Sequence, residues 1–116
     1  MKKFKKELEY RGTKVIAVLN RNNILNNNDL ILFSKSDYFD GYEPYANCNA
    51  NIEYEVKEDD IVIVKDYSEN KGMLEWLYKN NIIIKGEGIL DNGYVVLYMS
   101  RVNMKMLEPF EWDDLR

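Results

Sequence analysis

The clearest periodicity in the chain is in the stretch ANCNANIEYE, residues Ala46–Glu55. Small or apolar residues alternate there with polar ones, and a period of two is typical of a strand with one buried and one exposed face. The inner face begins with three small residues, Ala46, Cys48 and Ala50, which leave room for a bulky element close to the sheet. We therefore expect a half-buried strand with a helix packed across its small residues.

One segment of the chain can supply that helix. Apolar residues recur there at helical i, i+3, i+4 spacing, at Met73, Trp76 and Leu77. The segment 68–70 contains serine and asparagine side chains that can cap the start of a helix. The pattern predicts a single helix near residues 69–80, with Met73 and Trp76 packed against the sheet.

Turn signals divide the rest of the chain into strands. Arg11-Gly12 and Asp91-Asn92-Gly93 each join two apolar runs, as in β-hairpins. Arg21–Asn28, with five asparagines in eight residues, and Ser34–Tyr45 are expected to be loops. Asn81 suits a left-handed end to the helix. The expected fold is α+β: an antiparallel sheet of five or six strands, drawn from residues 5–10, 13–20, 30–33, 46–55, 61–64, 82–84 and 94–99, with one packed helix.

Length and composition favour one folded domain over residues 1–116. The chain has 116 residues, of which 46% are hydrophobic and 13% aromatic, enough to build one core. No apolar run approaches the roughly 20 residues of a membrane span, and no export signal follows the basic start, so we expect no membrane contact and a cytoplasmic location. Residues 108–116 form an acidic aromatic tail.

Residues that carry enzyme chemistry are scarce. The chain has no histidine and one cysteine, which removes histidine-activated nucleophiles, histidine metal ligands and an internal disulfide. Cys48 falls on the expected core face, where packing outweighs nucleophilic use. The acidic pairs Asp59-Asp60 and Asp113-Asp114 suit a solvated turn and tail better than a metal site, and Gly86–Gly88 suits a bulge better than a phosphate loop. We expect no enzyme activity, no catalytic residue, no cofactor and no metal.

Charge is distributed unevenly along the chain. The net charge is −4, but residues 1–21 carry seven basic against two acidic residues, a net of +5, which leaves −9 for the remainder. The basic hairpin, residues 2–14, could contact phosphates. A solvated edge strand guarded by lysines is the favoured interpretation, because lysine on an edge blocks aggregation between sheets.

Aromatic residues cluster in the second loop and in the tail. Tyrosine offers rigid contact area with a polar end, which suits a protein partner, but aromatics in a small domain also cap their own core; both interpretations stay open for the loop. The tail could dock on a basic partner or fold back on the basic hairpin, and the second is favoured. The candidate partner-binding residues are Tyr38, Phe39, Tyr42 and Tyr45 of the loop, and Phe110 and Trp112 of the tail.

Two stretches of the chain resemble a known group of proteins. Gly41-Tyr42-Glu43-Pro44-Tyr45-Ala46 leads into the alternating strand, and Gly72-Met73-Leu74-Glu75-Trp76-Leu77-Tyr78-Lys79-Asn80 follows an Asp-Tyr-Ser-Glu-Asn loop. Together they are similar to an uncharacterised family of small proteins encoded on bacterial conjugative elements and phages, over about residues 8–100. The resemblance implies a genomic setting and assigns no site.

The scarcity of catalytic residues and the clusters of aromatic residues predict that the protein functions by binding. We expect an accessory protein of a mobile genetic element that binds a protein partner, for example to inhibit a host defence system. The alternative is a nucleic-acid-binding protein that uses the basic hairpin, which the acidic remainder of the chain disfavours.

Overall fold

The β-branched and apolar run Val15–Leu19 lies in the longest strand, at the centre of the larger sheet. The structure is a computed structural model and describes residues 1–115. Its strands are β1 (Lys2–Phe4), β2 (Leu8–Tyr10), β3 (Thr13–Asn22), β4 (Asn27–Lys35), β5 (Tyr42–Asn47), β6 (Ile61–Lys65), β7 (Ile83–Asp91), β8 (Val96–Val102) and β9 (Leu107–Pro109), and its one α-helix is α1 (Met73–Lys79).

The strands form two antiparallel sheets. The larger has the order β5-β4-β3-β1-β9, with β2 paired to the other end of β3, and the smaller has the order β6-β8-β7. This confirms the α+β class, the six-stranded antiparallel sheet and the packed helix. The two hairpin turns expected from glycine also form, between β2 and β3 and between β7 and β8.

A short extended segment after β5 joins the two sheets. The amide of Cys48 donates to the carbonyl of Leu30 in β4, and the carbonyl of Cys48 accepts from Lys65 in β6. Ala50 donates in turn to Ile63. One hydrophobic cluster therefore contains residues of both sheets and of the helix, among them Val15, Leu32, Cys48, Val62, Met73 and Leu77.

The alternating stretch 46–55 is a strand over only part of its length. β5 ends at Asn47, and beyond it a single bridge joins Asn49 to Val64. The side chain of Asn49 is buried and accepts a hydrogen bond from the amide of Leu30, so a residue expected on the solvent face faces inward. The prediction of a strand to Glu55 was therefore wrong.

The prediction of a loop over the asparagine-rich segment Arg21–Asn28 was also wrong. β3 continues to Asn22 and β4 begins at Asn27, which leaves only the turn 23–26 of the expected loop. The buried side chains of Asn27 and Asn28 donate to main-chain carbonyls, those of Ile52 and Ile61 among them. Carbonyls distant in sequence thus bind the amide nitrogens of both residues, while the buried amide oxygen of Asn27 has no partner among residues 1–115.

The helix begins differently from the expected capping. Its N-cap is Gly72, with φ of 90°, and the carboxylate of Asp66 accepts the amide of Leu74 in the first turn. At the other end Asn81 adopts the expected left-handed conformation, with φ of 57°. Met73 and Leu77 are fully buried in the core that joins the sheets, and Trp76 packs against it. Within residues 1–115, no helix has the length and apolar character needed to cross a membrane.

Candidate functional site

The loop between β4 and β5 presents two aromatic side chains to solvent. Tyr38 is 91% exposed and Phe39 is 54% exposed. We call this pair the aromatic tip. Exposed acidic residues lie on both sides of it, at Asp37 and Asp40.

Hydrogen bonds close the loop beneath the aromatic tip. The amide of Ser36 donates to the carbonyl of Gly41 at 2.8 Å. The buried hydroxyl oxygen of Ser36 accepts from the amides of Tyr38 and Phe39, at 3.0 and 3.3 Å. Serine side chains commonly bond to the backbone two or three residues ahead in this way. The exposed rings are thus carried on a closed turn of six residues.

The other candidate aromatics do not lie at the tip. Tyr42 is half-buried and packs against a small cluster that includes Val18 and Phe33. Tyr45 contacts the ring of Tyr10 edge-on, with ring centroids 6.4 Å apart. The loop is therefore shorter than the expected Ser34–Tyr45, because β4 runs to Lys35 and β5 begins at Tyr42. Of the four candidates, Tyr38 and Phe39 lie in the loop, whereas Tyr42 and Tyr45 lie in β5.

The tail lies on the larger sheet. β9 pairs with β1, and the amide of Phe110 donates to the carbonyl of Met1. Phe110 is 5% exposed and belongs to the same small cluster as Leu115, so it stabilises the fold and offers no contact surface. The prediction for the side chain of Trp112 lies outside what the structure describes. Of the two interpretations of the tail, the structure shows the one in which it folds back on the N-terminal strand.

The basic hairpin differs from the expected edge strand. β1 is covered on both sides, by β3 and β9. Lys3 pairs with Glu108 of the tail at 3.3 Å, and Lys14 pairs with Glu7 at 3.7 Å. The lysines of β1 therefore do not guard a free edge, because the tail supplies the neighbouring strand.

A groove of about 600 Å³ lies between the tip of the β2–β3 hairpin, the end of β5 and the turn before α1. We call it the polar groove. Its lining combines three tyrosines, two cations, one carboxylate, several amides and a few apolar side chains. The lining residues are Tyr10, Arg11, Tyr45, Ala46, Asn47, Asn49, Ala50, Asn51, Ile52, Lys65, Tyr67, Glu69 and Asn70.

Long-range hydrogen bonds hold the polar groove together. The guanidinium of Arg11 donates to the carbonyls of Glu69 and Lys71, at 2.7 and 3.0 Å, and lies over the ring of Tyr10. The amide side chain of Asn70 donates to the carbonyl of Asn47. These contacts fix the turn 68–71 against the hairpin, although the two are separated by almost sixty residues.

The fold shifts the pKa values of Glu69 and Tyr10, two residues that line the polar groove. Lys65 donates to the carboxylate of Glu69 at 2.5 Å, and this hydrogen bond lowers the pKa of Glu69 to about 2. Burial raises the pKa of the Tyr10 hydroxyl. That hydroxyl is enclosed and has no hydrogen-bond partner within the described residues.

The remaining chemical candidates have structural roles. Cys48 is fully buried, and burial raises the pKa of its thiol. Asp60 and Glu87 both accept hydrogen bonds from Arg101, at 2.6 and 2.7 Å, which ties β7 and β8 to the turn before β6. The register of β7 shifts between Gly86 and Gly88, as expected for a bulge. Among residues 1–115, no group of three acidic or cysteine side chains is placed to hold a metal ion.

The chain was compared with family models, with curated proteins and with solved structures, and none of the three comparisons found a match. The sequence analysis selected the exposed Tyr38 and Phe39 and also Tyr45, but it did not predict the polar groove that Tyr45 lines. Its residues come from three separate segments, and only the folded chain brings them together. No spacing or motif in the sequence indicates that these three segments lie close together.

Proposed function

We propose that the protein acts by binding a partner protein through the aromatic tip. The supporting observation is the exposure of Tyr38 and Phe39 on a turn that Ser36 closes with three hydrogen bonds. Large aromatic side chains are the commonest sources of binding energy at protein interfaces. A turn that is already closed loses little conformational entropy when a partner covers it.

The charge around the aromatic tip suggests the chemistry of the partner. Asp37 and Asp40 flank the two rings, and the chain as a whole carries a net charge of −4. Complementary charge speeds association and suppresses wrong partners. The proposed partner surface therefore has an apolar pocket for the rings, surrounded by basic residues.

The resemblance to proteins of conjugative elements and phages adds a biological setting to the proposal. In that setting the partner is a bacterial protein, such as a component of a defence system, and the protein acts by covering its surface. The basic hairpin supports duplex binding less well, because Lys3 and Lys14 already lie near carboxylates. We expect it to give only a weak association that is lost as salt is raised.

Photo-crosslinking in the native host tests the proposal. A photoreactive amino acid is introduced in place of Tyr38 in one variant and of Ile24 in a second. Ile24 is a matched control because it is also 91% exposed and lies on a different turn. We expect one discrete crosslinked protein from position 38 and none from position 24. Equal crosslinking from both positions, or none from position 38, would contradict the proposal.

Once the partner is purified, alanine substitution measures the contribution of the aromatic tip. Tyr38→Ala and Phe39→Ala are each expected to weaken binding by about 1–2 kcal/mol or more, because a buried aromatic contact is lost. Ile24→Ala is expected to leave binding unchanged. Raising the salt concentration should slow association if basic residues surround the pocket.

A further inference from the structure

The polar groove lies apart from the aromatic tip and contains none of its residues. It holds about 600 Å³ and lies where the hairpin tip, the end of β5 and the turn before α1 meet. Small-molecule sites usually have volumes of this size and combine apolar walls with a few polar groups. The side chains of its lining indicate the kind of ligand.

Tyr10 provides the first indication of a ligand. The residue lines the polar groove and is 4% exposed, and its buried hydroxyl has no partner among residues 1–115. A buried hydroxyl without a hydrogen bond lowers stability, and such groups are rare in native proteins. A ligand that reaches this oxygen through a shift of the neighbouring side chains would supply the missing hydrogen bond.

The charge of the polar groove favours an anion. Lys65 forms an ion pair with the carboxylate of Glu69 at 2.5 Å, so these two charges offset each other. Arg11 donates to two main-chain carbonyls, and the described part of the chain supplies no carboxylate partner for it. Its exposed guanidinium therefore carries a positive charge that no carboxylate of residues 1–115 neutralises. Planar guanidinium groups suit phosphate oxygens.

The tyrosines of the polar groove favour a planar ring. Arg11 lies over the ring of Tyr10 and Lys65 lies over the ring of Tyr67, so a cation covers one face of each. Tyr45 has no cation of residues 1–115 over its ring, is 43% exposed and receives a hydrogen bond from Thr13 at its hydroxyl. Such a ring can stack on a nucleobase, whose edge can then bond to amides in the lining such as Asn47 and Asn51.

We propose that the polar groove binds a nucleotide, with its base stacked on Tyr45 and its phosphate beside Arg11. The shared chemistry is a base and a phosphate on one sugar, present both in a free nucleotide and in a single strand. The proposal is independent of the aromatic tip, since it uses residues on other elements.

Two-dimensional NMR of the full chain, titrated with four probes, tests the proposal. The probes are thymidine monophosphate, thymidine, inorganic phosphate and a short oligothymidylate. We expect thymidine monophosphate to shift the amide signals of residues 10–11, 45–51 and 65–70, and to bind more tightly than thymidine or phosphate alone. Tighter binding of the oligothymidylate would assign the site to single strands, and equal or weaker binding would assign it to free nucleotides.

Three variants test the proposed contacts. Arg11→Gln and Tyr45→Leu are each expected to weaken binding by about tenfold, the loss of one charged hydrogen bond or one stacked base. Lys14→Gln is the matched control, because Lys14 is a cation of the same hairpin that does not line the polar groove. It should bind as the unchanged protein does. Thermal unfolding identifies any variant that fails to fold, and Arg11→Lys, which keeps the charge, should restore part of the affinity.

Specific outcomes would overturn the proposal. One is the absence of shifts in the polar groove at about 5 mM thymidine monophosphate, where a site with a Kd of about 1 mM would be mostly occupied. Equal affinity for phosphate and thymidine monophosphate would remove the base from the proposal. A preference for a neutral sugar such as maltose would replace it with a carbohydrate site.

Discussion

The indole N–H of Trp76 donates a hydrogen bond of 2.9 Å to the carbonyl oxygen of Glu9. This contact joins the helix to the N-terminal hairpin across 67 residues of sequence. The ring of Trp76 also meets that of Tyr10 edge-on, with centroids 5.0 Å apart. One side chain of the helix thus supports a wall of the polar groove.

Replacing Trp76 should therefore destabilise the fold, by an amount that depends on how much of the side chain is removed. We expect Trp76→Phe to cost about 1 kcal/mol, mainly the hydrogen bond, and Trp76→Ala about 3 kcal/mol, because ring packing is also lost. Glu75→Ala, at an exposed position of the same helix, should change stability by less than about 0.5 kcal/mol. Urea unfolding measures all three. A Trp76→Ala variant as stable as Glu75→Ala would contradict the packing.

Phe110 should contribute to stability rather than to binding. Its ring is buried with Val18, Phe33 and Leu115, so Phe110→Ala is expected to cost about 3–5 kcal/mol through lost burial and a cavity. Glu111→Ala, at the exposed neighbouring position, should cost less than about 0.5 kcal/mol. Thermal or urea unfolding measures the difference. An unchanged midpoint for Phe110→Ala would mean that the tail does not dock on β1.

Tyr38 and Tyr42 should differ in their contribution to stability. Tyr38→Ala should leave the free energy of unfolding within about 0.5 kcal/mol, because the side chain is exposed. Tyr42→Ala should cost about 2 kcal/mol, because part of its ring packs on the core cluster. Parallel urea titrations compare the two variants, and equal effects would contradict the division between tip and core.

Glu69 should titrate abnormally. Its pKa is depressed from 4.5 to about 2 by the hydrogen bond from Lys65, so its contribution to stability is complete above pH 4.5 and is lost as the pH falls towards 2. NMR of the side-chain carboxyl measures this pKa directly. Lys65→Gln should raise it back towards the ordinary value and flatten the loss of stability over that pH range. A normal pKa in the unchanged protein would contradict the pairing.

Cys48 should be unreactive until the protein unfolds. It has no exposed area, and burial disfavours the thiolate that attacks thiol reagents. We expect a disulfide reagent to label the native protein only at the rate of opening and to label the urea-unfolded protein at once. Rapid labelling of the native protein would show that the segment joining the sheets is open.

Local patterns were sufficient for the elements whose causes lie within a few residues. Asp91-Asn92-Gly93 fixes a hairpin because a tight turn demands specific backbone angles at adjacent positions. The spacing of Met73, Trp76 and Leu77 gives the helix because side chains three and four apart share one face. The exposure of Tyr38 and Phe39 agrees with a loop bounded by strands.

Long-range hydrogen bonds determine the bounds of β4 and β5, which the local patterns did not predict. The alternation of residues 46–55 is real, but β5 ends at Asn47 because the side chain of Asn49 bonds to Leu30 inside the sheet junction. Asn27 belongs to a strand because its amide finds the carbonyl of Ile52. Side-chain amides bond equally well to near and distant carbonyls, so composition alone cannot tell a loop from a strand.

The polar groove is the extreme case of this division. The sequence by itself determined which side chains exist, their charges and the local elements that carry them. Only the tertiary structure brought Arg11, Tyr45 and Lys65 to one groove, because their separation along the chain leaves no periodic pattern. The positions of these three residues depend on two pairings, that of β3 with β4 and that of Cys48 with both sheets. Burial of the shared core sets both pairings.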